Sequence, residues 1–471
     1  MSGLADRHEL IVVGAGPAGL AAATAAAGHG VDVALLDEQA QPGGQIYRAV
    51  GRSPVADRAI LGEDYHRGAD LLRRFADSGA TYVPGATVWH LGVDREIGVS
   101  VGGAARLVGA GRVIVATGAM ERPFPIPGWT LPGVMGAGAG QLLLKSAGLV
   151  PAGCVVLAGL GPLLYLVAAQ YLRAGVEIAA LLETTPRANR WPAAAGLPGF
   201  LASGYFAKGR KLLAEVRARV RRIGLVETLR AEGGDRLQAV TFGRGGERET
   251  IPADLLLLHQ GVVPNVNLAM AAGADHGWDA GQLCFRPAVD EWGESSLAGI
   301  AVAGDGAGIG GAQAAEHRGR LAGLAAAHAL GRIGREQRDW EAAGHRRRLA
   351  RALRGRSFLD RLYRPPAAFR RPTGDTIVCR CEELTADRLL ETVREGQSSP
   401  NQLKSLRRPG MGPCQGRFCG LTVTELLAAE HGTTPEEVGY YRIRPPVKPL
   451  SLAELADLSA PPPAAQAEPR P

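Results

Sequence analysis

Cysteine is scarce: six in 471 residues. That is too few for the disulfide framework of a secreted scaffold, and the spacing suits metal ligation in a reducing, cytoplasmic setting. The first ten residues, MSGLADRHEL, lack the apolar core of a secretory leader. The most apolar long run, residues 155–169, is shorter than a membrane span and is interrupted by Gly159, Gly161 and Pro162. A buried strand–turn–helix unit explains it, and no membrane span is expected. An excess of one charge is also missing: 53 Lys and Arg against 46 Asp and Glu give +7, mostly from one arginine-rich region. That balance does not argue for nucleic acid. The length allows two or three domains, and the hydrophobic content of 46% is ordinary for a soluble protein.

Glycine is plentiful, 65 residues in all, and its placement organises the chain. Residues 11–37 read IVVGAGPAGLAAATAAAGHGVDVALLD, which is strand, G-x-G-x-x-G, helix, strand, acid. Gly14 allows the tight turn, Gly16 lets backbone approach a pyrophosphate, and Gly19 lets helix pack on strand. The helix N-terminus offers free N–H groups and partial positive charge to a diphosphate. Asp37 stands where an acid accepts a ribose hydroxyl, and the adjacent Glu38 is an alternative for that role.

Three later segments suit the same kind of site. Gly44 and Gln45 lie in a Pro-Gly-Gly bend past the second strand. Residues 111–118, GRVIVATG, are a buried strand ending in Thr117 and Gly118. Residues 300–311, IAVAGDGAGIGG, end a strand at Gly304 and Asp305, and an alanine-rich helix follows. Taken singly, each is also an ordinary strand end with a glycine turn.

Residues 154–183 repeat the opening pattern. Gly159 matches Gly14, Gly161 matches Gly16 and Glu183 matches Glu38, but Leu164 stands in place of Gly19. A side chain there is expected to push helix from strand and loosen a pyrophosphate site. Glu183 disfavours a 2′-phosphate by like charge, so NAD(H) or another adenine nucleotide is expected rather than NADPH. Between the copies, residues 121–140 are rich in proline and glycine and read as a crossing between domains. Residues 187–206 fit neither helix nor strand, and residues 225–242 read as a hairpin about Gly233-Gly234-Asp235.

Near the C-terminus Cys379, Cys381, Cys414 and Cys419 form C-x-C, a helix-bearing gap, then C-x4-C. Four thiolates from two loops suit a [2Fe–2S] cluster or a structural zinc, and the spacing departs from the usual C-x2-C zinc hairpins.

GAGPAG with LLDE, PGGQIYR, ATGAMERP, GLGPLL and GDGAGIGGAQAAEHRGRLAG occur together and in order. This set resembles the α/β flavoprotein fold with two Rossmann-like dinucleotide-binding domains of the glutathione and thioredoxin reductases. The ending CRCEE…GMGPCQGRFCG resembles the [2Fe–2S] domain related to bacterioferritin-associated ferredoxin (BFD-like). Together they resemble the FAD- and [2Fe–2S]-bearing subunits of heteromeric bacterial amine and imino-acid dehydrogenases. That family includes the A component of opine oxidase, the alpha components of hydroxyproline and proline dehydrogenases, and the B component of hydrogen cyanide synthase. The resemblance implies FAD contacts at Gly14, Gly16, Gly19, Asp37 or Glu38, Gly44, Gln45, Thr117, Gly118, Gly304 and Asp305. It implies cluster ligation by all four C-terminal cysteines.

The expected division is an FAD-binding domain, residues 8–122 and 285–330, and a second dinucleotide-binding domain, residues 123–284. An arginine-rich helix and linker (331–374), a BFD-like [2Fe–2S] domain (375–445) and a disordered tail (459–471) follow. No C-x-x-C or C-x4-C lies in either dinucleotide domain, so thiol–disulfide reduction has no active-site pair. No acid–base pair or nucleophile for amine oxidation stands out either, and no catalytic residue is assigned. The expected role is therefore electron transfer from a partner flavoprotein that oxidises the C–N bond of an amino-acid-like substrate. The partner set includes that flavoprotein, a small ferredoxin-like protein, and peripheral membrane contact through a quinone acceptor. A self-sufficient NADH diaphorase is the alternative enzyme, and a docking or iron-handling module on a flavoprotein scaffold is the non-enzymatic one.

Overall fold

The computed structural model describes residues 4–458, so the expected tail at 459–471 lies outside the described residues. The strand Arg7–Val13 is central to the first sheet and is buried along most of its length. It pairs in parallel with Val33–Asp37 on one side and with Ala104–Val115 on the other. Burial on both faces is what a continuous Leu-Ile-Val-Val run requires. The strand Ala104–Val115 is twelve residues long and does two jobs. Its first part pairs antiparallel with Glu96–Val101, and its second continues the parallel sheet. Ile300–Val302 then returns from far along the chain to pair with its last residues. Residues 300–311 are thereby delivered to the C-terminal ends of the parallel strands, where the first glycine turn lies.

The alanine-rich helices Pro17–Ala27 and Ala312–Ala329 cross at very short range. A Cβ at Gly319 would collide with the Ala18 carbonyl oxygen, and one at Gly323 with that of Ala22. Two glycines one helical turn apart let the backbones meet.

The second sheet is wholly parallel, ordered Arg222–Gly224, Ile178–Glu183, Val155–Leu160, Leu255–Gln260, Val134–Gly136. An antiparallel meander accompanies it. The expected hairpin is its first two strands, Thr228–Gly233 and Leu237–Arg244, and Glu247–Pro252 adds a third. Residues 187–206, which showed no periodicity, fold as short helical turns and the start of the helix Gly204–Arg219. Their apolar side chains serve a tertiary contact: Phe200 stacks on Phe358 at 4.3 Å, and Asn189 Nδ2 donates to the Leu362 and Arg364 carbonyls.

Part of the arginine-rich helix Arg335–Leu353 has a packing role. The guanidiniums of Arg338 and Arg346 lie 4.2 and 4.3 Å from the centre of the Trp292 ring, two cation–π contacts. Beyond it, the hairpin Ile377–Cys379/Leu384–Thr385 and the helices Ala386–Arg394, Pro400–Arg407 and Gly420–His431 form a small C-terminal unit. This unit shares a hydrophobic core with the first sheet, and polar contacts add to it. Trp129 Nε1 donates to the Ile377 carbonyl at 2.7 Å, and Asn267 Nδ2 to that of Gln415 at 2.8 Å. An ionic contact accompanies them: buried Glu425 pairs with Arg370 and lies 3.9 Å from buried Arg122. Burial brings both guanidiniums down to about 10. Among the described residues no helix is long and apolar enough to cross a membrane.

Candidate functional site

One cavity of about 1210 Å³ runs through the molecule, and most of the residues singled out from sequence reach it. Gly14, Gly16, Asp37, Glu38, Gly44, Gln45, Thr117, Gly118 and Asp305 all line it. Gly19 and Gly304 do not; they shape its wall. A Cβ at Gly19 would collide with the Gly14 carbonyl oxygen, and one at Gly304 would stand 2.6 Å from Ala18 Cβ.

The first glycine turn is held from two sides. Asp37 Oδ2 accepts from Ala15 N at 2.6 Å and Oδ1 from Gln39 N at 2.8 Å. Burial raises the Asp37 carboxyl above its ordinary value, and these two bonds oppose that rise. Gly43 N donates to the Ala15 carbonyl at 2.8 Å. At Gly44, with φ +59°, a Cβ would meet Gly16 Cα at 2.7 Å, so two bare backbones face each other. The helix Pro17–Ala27 has no side-chain cap, so its first N–H groups are left for a ligand. Glu38, half-exposed on the cavity wall, pairs with Lys448 at 2.7 Å. Thr117 Oγ1 donates to the Asn265 carbonyl at 3.2 Å, and Asp305 Oδ1 accepts from Gly310 and Gly311. An uncapped helix, a bare glycine–glycine cradle and three acids at strand ends fit an elongated diphosphate cofactor.

The second copy is built differently. A Cβ at Gly159 would collide with the His259 carbonyl oxygen, so this glycine serves strand packing and does not line the cavity. Gly161, with φ +100°, does line it. Leu164 is fully buried in the core of this domain. Glu183 also lies away from the lining, where Oε2 accepts from Arg222 at 3.0 Å. Arg222 partly offsets the Glu183 charge on which the expectation of NAD(H) over NADPH rests.

Sequence reasoning missed two groups here. His259 Nδ1 lies 2.7 Å from Glu121 Oε1, and Glu121 Oε2 accepts from Gly138 N at 3.0 Å. Both residues line the cavity between the two glycine turns. The signal was a histidine closing the apolar run LLLLHQ. The second group is Lys145, buried, donating to the carbonyls of Gln45 and Ile46 and to Gln141 Oε1. Burial, with the Arg48 charge added, pulls its ammonium down to about 7.

The four C-terminal cysteines come together as two pairs. Cys379 is brought down to about 6, first by the thiol of Cys419 and further by the backbone N–H groups of Gly410, Glu382 and Cys381. Cys419 is pushed well up by that same pairing and by burial. Burial also raises Cys381, against the backbone N–H of Cys414, its side-chain partner. Cys379 and Cys419 are buried, whereas Cys381 and Cys414 are partly exposed. Backbone N–H groups aimed at sulfur stabilise thiolates, the form in which cysteine binds metal. Among the described residues no group of three or more His, Cys, Asp or Glu closes on a point suited to a single metal ion. Cys154 and Cys284 stand apart from this set; both are free, with thiols raised by burial, that of Cys284 to about 12.

Residues 8–329 match the pyridine nucleotide-disulphide oxidoreductase family, and residues 373–458 match the sarcosine oxidase A3 domain. The A component of opine oxidase from Agrobacterium tumefaciens is 47% identical over 97% of this chain and 92% of its own. Hydrogen cyanide synthase subunit HcnB of Pseudomonas aeruginosa is 33% identical over 95% and 98%. The crystal structure of L-proline dehydrogenase from P. horikoshii shares the fold, with TM-score 0.69 and 18% identity over 95% of this chain and 79% of that one. The chain belongs to the pyridine nucleotide-disulphide oxidoreductase family, and within it to the group that contains the A component of opine oxidase and hydrogen cyanide synthase subunit HcnB. It is an FAD-dependent oxidoreductase with the Rossmann-type fold of the glutathione and thioredoxin reductases and a C-terminal sarcosine-oxidase-like domain.

Proposed function

We propose that the chain is the FAD- and [2Fe–2S]-bearing electron-transfer subunit of a heteromeric dehydrogenase. Its partner flavoprotein oxidises the C–N bond of an opine, hydroxyproline, proline or glycine-like substrate. The observation that carries this reading is the wall of the main cavity. Arg380, between Cys379 and Cys381, and Arg417 and Phe418, beside Cys419, line the same cavity as the first glycine turn. Redox groups held at the two places would be neighbours, with no disulfide pair between them. FAD supplies paired or single electron transfer, and an iron–sulfur cluster supplies single electron transfer.

In this reading the chain's residues position and insulate. The turn at Gly14 and Gly16 and the helix start at Pro17 receive the diphosphate. Glu38 takes the ribose, because both Asp37 oxygens already hold the turn. Asp305, Thr117 and Gly118 flank the remainder of the cofactor. Cys379 pairs with Cys419 and Cys381 with Cys414, a two-and-two arrangement suited to two irons. The domain limits proposed are 8–122 with 285–330, 123–284, 331–374 and 375–445. Similarity to one subunit of opine oxidase supports a hetero-oligomer, since that oxidase is built from more than one kind of chain.

The test is to assay the purified chain alone and with its co-expressed partner, alongside flavin, iron and labile sulfide analysis. Expected are flavin and two irons per chain, no oxidation of proline, hydroxyproline, opine or glycine by the chain alone, and turnover with the partner. Appreciable turnover by the chain alone, or iron absent from protein that retains flavin, sinks the reading.

A further inference from the structure

The loop bearing Cys414 and Cys419 wraps an aromatic ring. A Cβ at Gly410 would stand 2.7 Å from Tyr441 Cε2, and one at Gly416 2.7 Å from Tyr441 Cδ2. These two glycines make room for the Tyr441 ring. Gly412 does the same for Cys381, whose Cβ a side chain there would strike. Tyr441 is 3% exposed, and its hydroxyl lies 3.7 Å from Cys419 Sγ, which is fully buried. The ring is held in place from outside. Tyr440 donates to the Gly416 carbonyl at 3.3 Å, Asn401 Oδ1 accepts from Arg442 N at 2.8 Å, and Trp89 O accepts from Val447 N at 2.8 Å.

A ligating thiolate can only accept a hydrogen bond, so the Tyr441 hydroxyl must be the donor to Cys419. Backbone N–H groups serve Cys379; Cys419 has this phenol instead. A hydrogen bond to a ligating sulfur is strengthened by added negative charge, so it favours the reduced state and raises the reduction potential.

We infer that Tyr441 is a positioning residue that raises the potential of the metal group held by the cysteines, through one hydrogen bond to Cys419. This rests on the proposal that the four cysteines hold a [2Fe–2S] cluster. The step is a one-electron reduction by a reduced flavin; no bond forms or breaks, and the phenolic proton stays on oxygen.

The test is a mediated redox titration of the full chain, wild type against Tyr441→Phe, followed by electron paramagnetic resonance. Expected is a lower midpoint potential for the cluster signal in Tyr441→Phe, with the flavin potential and iron content unchanged. Tyr171→Phe, at a buried tyrosine of the second dinucleotide-binding domain away from the cysteines, should leave the potential in place. An unchanged potential in a cluster-bearing Tyr441→Phe overturns the inference. Should that variant lose the cluster, the wild type in deuterated buffer decides. Deuteron coupling in its electron–nuclear double resonance spectrum is expected from the phenolic position, and its absence overturns the inference. A wild type without iron and sulfide instead removes the cluster proposal, and this inference with it.

Discussion

Glu121 and His259 meet at 2.7 Å between the strands Ala119–Glu121 and Leu255–Gln260, beside both glycine turns. The imidazole is almost wholly buried, and the second carboxylate oxygen is taken by the Gly138 amide. Substituting Glu121→Leu strands two donors. Each unsatisfied buried group costs roughly 1–3 kcal/mol, so a fall in melting temperature is expected. Glu121→Leu/His259→Leu should recover part of the loss. Thermal denaturation of these two variants and of His259→Leu checks this, and additive losses would show that the pair is not coupled.

The glycines of the first turn make different predictions from one another. Gly19→Ala drives a methyl into the Gly14 carbonyl and should displace the turn. Flavin affinity is expected to fall roughly tenfold or more, each ~1.4 kcal/mol of lost binding being a factor of ten. Gly51→Ala enters open space and is the control. Fluorescence of flavin released after gel filtration reads both, and full retention in Gly19→Ala would refute the assigned role.

Much of this was legible from sequence for physical reasons. A period-free apolar run followed by G-x-G-x-x-G has few ways to fold, and the strands Arg7–Val13 and Val155–Leu160 lie where such runs put them. The segments ending at Thr117 and Asp305 meet at one cavity because their strands pair. What was illegible depends on distant partners. The sequence cannot tell that Arg222 will neutralise Glu183, or that Glu425 will reach back to Arg122 across the domain junction. Residues 187–206 carried no periodic signal because their order comes from Phe358 and Leu362, far along the chain.

Lys145 predicts a pH dependence. Its folded value of about 7 lies below the ordinary 10.5 because burial disfavours the ammonium. Between those values the unfolded chain holds more protons than the folded one, so stability rises with pH through that window and is lost as pH falls toward 7. The limiting slope is about 1.4 kcal/mol per pH unit. In Lys145→Met this contribution vanishes. Comparing melting temperatures of the two proteins, the wild type should lose ground to the variant between about pH 9 and about pH 7. A pH-independent difference would mean that the ammonium is solvated.

NADH offers the sharpest separation of the electron-transfer reading from a self-sufficient diaphorase. A working hydride site needs an acid on the cavity wall at the end of the second strand to take the ribose, and Glu183 lies away from that wall, held by Arg222. It needs a turn set close to its helix, and where the first copy has Gly19 this copy has Leu164, fully buried. The chain's electrons should then arrive through another protein. In an anaerobic visible-absorption titration, excess NADH is expected to leave the flavin and cluster bands unchanged, while dithionite bleaches both. Rapid bleaching by NADH would make the second domain a hydride donor site. Arg222→Ala, which frees Glu183, should then increase the affinity for NADH rather than reduce it.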